Sequence, residues 1–418
     1  MMTSSDQGVW QHFGFRSNPL DPRPLSVSHQ DRELMVGRDQ ENRKFAALSS
    51  NDHGVIIVEG NIGVGKTSFV NAAQYDLSKR GFLPSHQTIE VRENMEPSNL
   101  VLSALSNLVY SLEISKGRDA NTKDLALREG KQLVANTVKG GWGGQLSILG
   151  TGGGVQKQET IEQAPTIIIN TAVQKLDQWI ERAKEKFSYR AGIVVINNLD
   201  RLLDQELVEL LNRARDVALL RPNILWTLTG KIGTFTTIEA QARRVSEIIT
   251  GQPILLNPLT LEKIHEAIRI RVKKFAATKE ARFPLESKFI DLLYEVSRGE
   301  IRFIFKRLTD IVYEVAAELP SVELIPSDLA FKVLRSLAEQ RLSQLPLTES
   351  DKRMLQKMAQ HPFRIRDYKE FKLSSQQALL NRVRRLQKMD LLQSERRDAK
   401  TVIYRTVADA NILFRTDK

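Results

Sequence analysis

No cysteine occurs in the 418 residues, which excludes a disulfide framework, thiolate-bound zinc and iron–sulfur clusters. No apolar run approaches the roughly 18 residues that a membrane span requires. The opening MMTSSDQGVWQHFGF has neither a basic n-region nor an apolar h-region, so no secretory signal is expected there. Self-similarity with a period of about 20–50 residues is also missing, which argues against solenoids and propellers. These absences predict a soluble, cytoplasmic protein with no membrane partner. What is present is ordinary for a folded chain: 41% hydrophobic and 27% charged residues. At roughly 100–200 residues per domain, the length predicts two to four domains.

Acidic residues are in deficit, but unevenly so. The net charge is +11, and residues 347–418 hold 17 Lys/Arg against 9 Asp/Glu, a local balance of +8. A basic C-terminal module on a near-neutral body points to a polyanion, with double-stranded DNA foremost. A solvated charged face is the alternative.

The periodicities divide the chain into four stretches. Residues 1–30 are rich in Pro, Ser and Asn and read as an extended arm, before a helix at 39–49. Residues 31–257 alternate strand and helix: strand Val55–Glu59, helix 66–79, strand Thr88–Arg92, helix 98–114, helix 160–187, strand Gly192–Ile196, helix 204–219, strand Ile224–Leu228 and a short strand at Pro253–Leu256. Such alternation predicts an α/β class with a parallel sheet covered on both faces. A glycine-rich insertion at 116–158 interrupts it; Gly140–Gly154 reads as a flexible loop, with a small hairpin as the alternative. Residues 258–346 show helical periodicity only, at 260–278, 286–297, 301–318 and 327–343, and predict an all-α lid. Residues 347–418 read as helices 349–359, 366–371 and 374–390 and then strands 391–395 and 401–407, the order of a winged helix-turn-helix.

One motif carries specific chemistry. Gly60, Asn61, Ile62, Gly63, Val64, Gly65, Lys66 and Thr67 fit the phosphate-binding loop G-x-x-x-x-G-K-[ST] in full. Glycines let successive N–H groups converge on a phosphate, Lys66 adds charge for the β- and γ-phosphates, and the Thr67 hydroxyl can ligate Mg²⁺. The context is right, because VIIVE precedes the loop and SFVNAAQ continues it within helix 66–79. Gly60 to Ser68 are therefore the candidate ATP-binding residues.

Such a loop needs a second strand ending in acid. Ile193 to Ile196 supplies the strand, but Asn197 and Asn198 stand where acids are expected. An amide hydrogen-bonds a metal-bound water but is no base. Asp200 reads first as a helix N-cap or a partner of Arg201, and alternatively as a displaced metal or water partner. Thr227 and Thr229 close the next strand, where a hydroxyl could meet the γ-phosphate or simply favour the strand. Arg302 could fold onto phosphates or pair with Glu300 or Glu295.

This order of elements resembles the AAA+ ATPases of the origin-recognition and initiator type, over about residues 30–410. Val36-Gly37-Arg38-Asp39, followed by Glu41, is similar to that family's N-terminal signature at the adenine pocket. The resemblance implies ATP and Mg²⁺ as cofactors, with Lys66 and Thr67 as Walker A and Asn197 and Asn198 at the Walker B positions. It implies Thr229 as sensor 1, Arg302 as sensor 2 and Arg38 beside the base. It further implies self-association, with Arg213, Arg215, Arg243 or Arg244 as an arginine finger, and a nucleotide that sets the angle between sheet and lid. With both Walker B acids replaced, slow or absent hydrolysis is expected.

In the C-terminal module, helix 374–390 carries Arg382, Arg384, Arg385 and Lys388 opposite the apolar stripe Ala378, Leu379, Val383, Leu386 and Met389. Arg396, Arg397 and Lys400 mark a wing tip suited to phosphates. The function expected is nucleotide-controlled assembly on DNA, in replication initiation, transposition or a mobile-element or defence setting. The alternative is a nucleotide-locked scaffold or signalling subunit of a defence complex whose winged helix grips a protein.

Overall fold

The computed structural model describes residues 8–139, 166–396 and 401–414. The chain divides into two compact units. One comprises Leu25–Gly60 and Lys66–Leu256; the other comprises Met1–Pro24, Asn61–Gly65 and Asn257–Lys418.

The first unit is built on five parallel strands, β1 (Gly54–Gly60), β2 (Ile89–Glu90), β3 (Gly192–Asn197), β4 (Ile224–Gly230) and β5 (Ile254–Leu256), in the order β2-β3-β4-β1-β5. The central strands are buried along their length, as near-continuous apolar runs such as Val55–Val58 and Ile193–Ile196 require when both faces are covered. Val55, Ile57, Val194, Ile196, Trp226 and Leu228 join one apolar cluster with the helix Pro97–Lys116, which buries 14 residues of its 20. The parallel sheet and the α/β class agree with the sequence reading.

The insertion departs from it. Residues Leu125–Lys139, placed in the insertion with no element assigned, form an amphipathic helix. The cause is a seat for an indole: a Cβ at Gly130 would lie 2.5 Å from Trp179 Cδ1, and Trp179 Nε1 donates to Asn121 Oδ1 at 3.1 Å. Trp179 comes from the helix Thr166–Phe187 and is fully buried. The glycine cluster Gly140–Gly154 lies outside the described residues. At the end of the 204–219 stretch the α-helix stops at Ala214, and Arg215–Leu219 winds as a π-turn.

The second unit is mainly helical, with Leu261–Phe275, Ser287–Ser297, Ile301–Glu318 and Ser327–Ser343 close to the predicted spans. The N-terminal segment, read as an extended arm, is a packed strap within this unit. Trp10 Nε1 donates to the Tyr313 hydroxyl at 3.0 Å, Arg16 N–H to the Phe275 carbonyl at 2.9 Å, and Phe15 and Leu20 are fully buried.

The C-terminal part runs helix Glu349–Met358, helix Gln376–Lys388, and an antiparallel hairpin of β6 (Leu392–Arg396) and β7 (Val402–Thr406). This order is consistent with a winged helix. The short helix expected at 366–371 is instead a single 3-10 turn, Ile365–Asp367. Phe363 exchanges two backbone hydrogen bonds with Tyr404, at 3.1 and 2.8 Å, so the chain before the turn runs beside β7. A further helix, Ala408–Phe414, follows the hairpin. Among the described residues no helix is long and apolar enough to cross a membrane.

Candidate functional site

The phosphate-loop sequence lies where its chemistry needs it, between buried β1 and the helix Lys66–Ser78. Gly63 and Gly65 have φ of +79° and +92°, conformations that a side chain would strain. Lys66 Nζ donates to the Gly60 carbonyl at 2.8 Å, so the ammonium curls over the loop's own start. The Ser68 hydroxyl is engaged elsewhere and accepts from Leu25 N–H at 3.1 Å. Glu59, one residue before the loop, is buried and accepts from the N–H groups of Gly233 and Phe235, where the helix Thr234–Gln241 begins. Burial raises its pKa and the two N–H donors work against that rise.

At the C-terminal ends of the strands a polar network gathers the residues singled out from sequence. The Thr229 hydroxyl donates to Asn197 Oδ1 and accepts from Asn198 N–H at 3.3 Å. With its oxygen so engaged, Asn197 turns Nδ2 toward Glu90 Oε1 at 2.9 Å and Thr67 Oγ1 at 3.4 Å. Asn198 Nδ2 donates to Glu90 Oε2 at 2.6 Å. Thr67, Asn197, Asn198 and Thr229 are thus brought together around a carboxylate that the sequence reading passed over. Glu90 closes β2 and is paired in register with Asn197. Its signal was an acid inside the short strand read at Thr88–Arg92; what made it a site residue was the neighbouring strand.

Asp200 does not cap a helix. It lies inside the 3-10 turn Leu199–Arg201, whose N-cap is Asn198, and the next helix is capped at Leu203. Its Oδ1 is buried without a hydrogen-bond partner, and Arg201 faces Glu90, at 3.9 Å, instead. Thr227 is buried within β4, its hydroxyl unpartnered. Arg38 is buried and held by Glu41 at 3.3 Å; burial lowers its pKa and the Glu41 charge opposes the shift. Of the four arginines considered as fingers, Arg213 is tied to Glu96, Arg215 to Asp216, and Arg244 reaches Asp216 at 3.5 Å. Arg243 is the most open, its side chain 90% exposed.

The loop residues Asn61–Gly65 belong to the helical unit. Arg302 N–H donates to the Gly63 carbonyl at 3.3 Å, and a Cβ at Gly63 would collide with the Glu300 side chain. Burial pushes the Glu300 carboxyl up to about 7, against the pull of the Arg302 charge.

The cations of the helix Gln376–Lys388 fall into two groups. Arg382 and Arg385 both reach the fully buried Asp351, at 3.0 and 3.1 Å. Burial alone would raise the Asp351 pKa, but hydrogen bonds from Thr348 and the two arginine charges hold it below the usual value. The outward stripe is Gln377, Asn381, Arg384 and Lys388, all exposed. The Arg396 side chain, Arg397 and Lys400 lie outside the described residues.

Residues 45–225 match the KAP family P-loop domain. The fold is similar to that of the Aeropyrum pernix ORC1 protein, solved in complex with DNA: TM-score 0.50 and 14% identity over 95% of this chain and 96% of that one. It is also similar to the Aeropyrum pernix ORC2 protein, solved as ADPNP–ADP complexes: TM-score 0.50 and 13% identity over 94% of each chain. No curated protein matches the sequence. These matches show a P-loop domain within a fold like that of the ORC1 and ORC2 structures.

Proposed function

We propose that this chain is an ATP-binding protein whose nucleotide state governs its assembly on double-stranded DNA. The observation that carries the first half is the complete phosphate loop between β1 and its helix, with the Thr67 hydroxyl hydrogen-bonded into the network at the ends of β2, β3 and β4. ORC2, of similar fold, was solved with ADPNP and ADP. Lys66→Ala is expected to abolish binding of a fluorescent ADP analogue, because the backbone cradle then lacks the charge that compensates the phosphates. Unchanged affinity in that variant would sink the proposal.

Mg²⁺ fits the residues present. This ion keeps several waters and takes one or two carboxylates plus nucleotide phosphates, in preference to an all-protein cage. Among the described residues no cluster of three or more His, Asp or Glu could hold a metal, and a hydroxyl with one carboxylate behind it suits an ion carried in on the nucleotide. The Thr67 hydroxyl would ligate it; its chemistry is to neutralise charge on the phosphates.

The DNA half of the proposal draws on the basic C-terminal module and on ORC1, which was solved with DNA. The residues to test are Arg384 and Lys388, not Arg382, because a glutamate at 382 would face buried Asp351. Arg384→Glu with Lys388→Glu should weaken binding to random duplexes and flatten the salt dependence by about one unit of slope per lost phosphate contact.

A second reading has an observation of its own. Arg382 and Arg385 are occupied by Asp351 within the module, which reduces the free charge on this helix and favours a winged helix that grips a protein. Duplex binding that is unchanged in the double variant would select this scaffold reading. Self-association is proposed through Arg243, the most exposed of the candidate fingers.

A further inference from the structure

We propose that Glu90 is the acidic residue of the nucleotide site, supplying from β2 the negative charge that is missing from the end of β3. This inference rests on the nucleotide-binding reading above and assigns a residue within it.

Asn197 and Asn198 each offer one acceptor and two donor positions and carry no charge. The Thr229 hydroxyl occupies Asn197 Oδ1, which fixes the amide so that Nδ2 points to Glu90. Asn198, held in a left-handed turn with φ 57° and ψ 43°, sends its own Nδ2 to the other Glu90 oxygen. These two amides, with the Thr88 hydroxyl donating to Oε1 at 3.1 Å, orient both oxygens of one carboxylate without cancelling its charge. Arg201 stands 3.9 Å away on a side chain that is 61% exposed, where water screens it. A carboxylate that served only to hold the strands together would more economically be an amide or hydroxyl; here a full charge is aimed by three neutral donors.

The location suits a metal-bound nucleotide. Glu90 Oε1 and Thr67 Oγ1 lie 2.9 and 3.4 Å from the same nitrogen, Asn197 Nδ2. A Mg²⁺ carried in on the nucleotide and ligated by the Thr67 hydroxyl would keep several of its waters. One hydrogen bond beyond such a water is the distance at which an outer carboxylate orients it and compensates the ion's charge. The Asn197 amide, released by Thr67 when that oxygen turns to a metal, still has Glu90 as its acceptor. Glu90 is therefore a positioning residue for the metal's water shell, and Asn197 and Asn198 are its guides.

The test uses the full chain, a fluorescent ADP analogue, and Mn²⁺ as a paramagnetic substitute for Mg²⁺. In Glu90→Gln, affinity for the analogue in EDTA should equal that of the parent, and the increment gained on adding Mg²⁺ should fall by roughly 10–100-fold. The electron paramagnetic resonance signal of protein-bound Mn²⁺–ADP should fall with it. Asp200→Asn should leave both unchanged. If Glu90→Gln keeps the Mg²⁺ increment and the Mn²⁺ signal, or if Asp200→Asn removes them instead, Glu90 is not the acid of the site. A parent that binds no nucleotide even in EDTA would overturn the nucleotide-binding reading and this assignment with it, whereas an unchanged Glu90→Gln overturns the assignment alone.

Discussion

Carboxylates in the two units are satisfied in opposite ways. In the sheet unit, Glu90 accepts from two neutral amides. In the helical unit, Asp409 is fully buried between Arg307 and Arg341, and Asp351, equally buried, is held by Arg382 and Arg385. Both arrangements fill the oxygen lone pairs, but only the second cancels the charge. Two guanidiniums offset most of the charge of such a buried acid, and its work is to join elements: Asp409 links the helices Ile301–Glu318 and Ser327–Ser343 to Ala408–Phe414. An acid oriented by amides keeps its charge for whatever cation arrives. The same residue class is mortar in one unit and a candidate site in the other.

Removing the mortar should give the largest effect. Asp409→Ala leaves Arg307, whose side chain is 9% exposed, facing a void with only Asp310 in reach at 3.0 Å. Breaking a buried pair from one side costs about 3–5 kcal/mol, and Arg341, at 41% exposed, recovers water and places the loss near the lower figure. Urea unfolding measures it; a loss below about 1 kcal/mol would show that the arginines are content without the acid.

Glu300 is intermediate between the two classes, part-buried beside the phosphate-loop turn with its carboxyl pushed up to about 7. Burial is the main cause and the Asp409 charge adds to it, while Arg302, Arg341 and a hydrogen bond with Gln393 oppose it. Because the folded-state value lies above the ordinary 4.5, the folded protein holds the proton more tightly. Stability is therefore full below pH 4.5 and is lost as pH rises through about 7. Glu300→Gln should remove that slope and raise stability above pH 7 by at most about 3 kcal/mol. Denaturation midpoints across pH 4–8 that stay parallel in parent and variant would contradict it.

The smallest effect on stability is expected at Glu90. Glu90→Gln preserves an acceptor oxygen for the amides, and the network lies partly in solvent, with the Glu90 side chain 24% exposed. The cost should stay under about 1 kcal/mol, that of one ordinary hydrogen bond. A loss as large as that of Asp409→Ala would place Glu90 with the structural acids and erase the contrast between the units.

Much of this molecule was legible in contiguous sequence. The phosphate loop, the apolar runs of β1, β3 and β4 and the helical stretches of residues 261–343 are local signals, because their period and residue types act over neighbours in the chain. The insertion helix was less legible. Leu125–Lys139 gains its stability from the indole of Trp179, far along the chain, and an isolated helix of that length is marginal.

The residue lists diverge where a partner comes from another element. Helical periodicity placed Arg382, Arg384, Arg385 and Lys388 away from the apolar stripe. It could not say that Asp351, drawn inward by its capping box with Thr348, would claim Arg382 and Arg385 and leave Arg384 and Lys388 outside. The buried strap of Trp10, Phe15 and Leu20 was hidden for the same reason, since its contacts are with helices some 250–300 residues later.

By itself the sequence determined that a P-loop α/β unit, a helical unit and a basic C-terminal module exist, since each is written in the order and spacing of adjacent residues. It also determined that β3 ends without an acid. Only the tertiary structure decided which carboxylate stands there instead, because the pairing of β2 with β3 sets Glu90 beside Asn197 across 107 positions of chain. Strand pairing depends on which edges meet when the whole sheet closes, and no window of neighbouring residues contains that information.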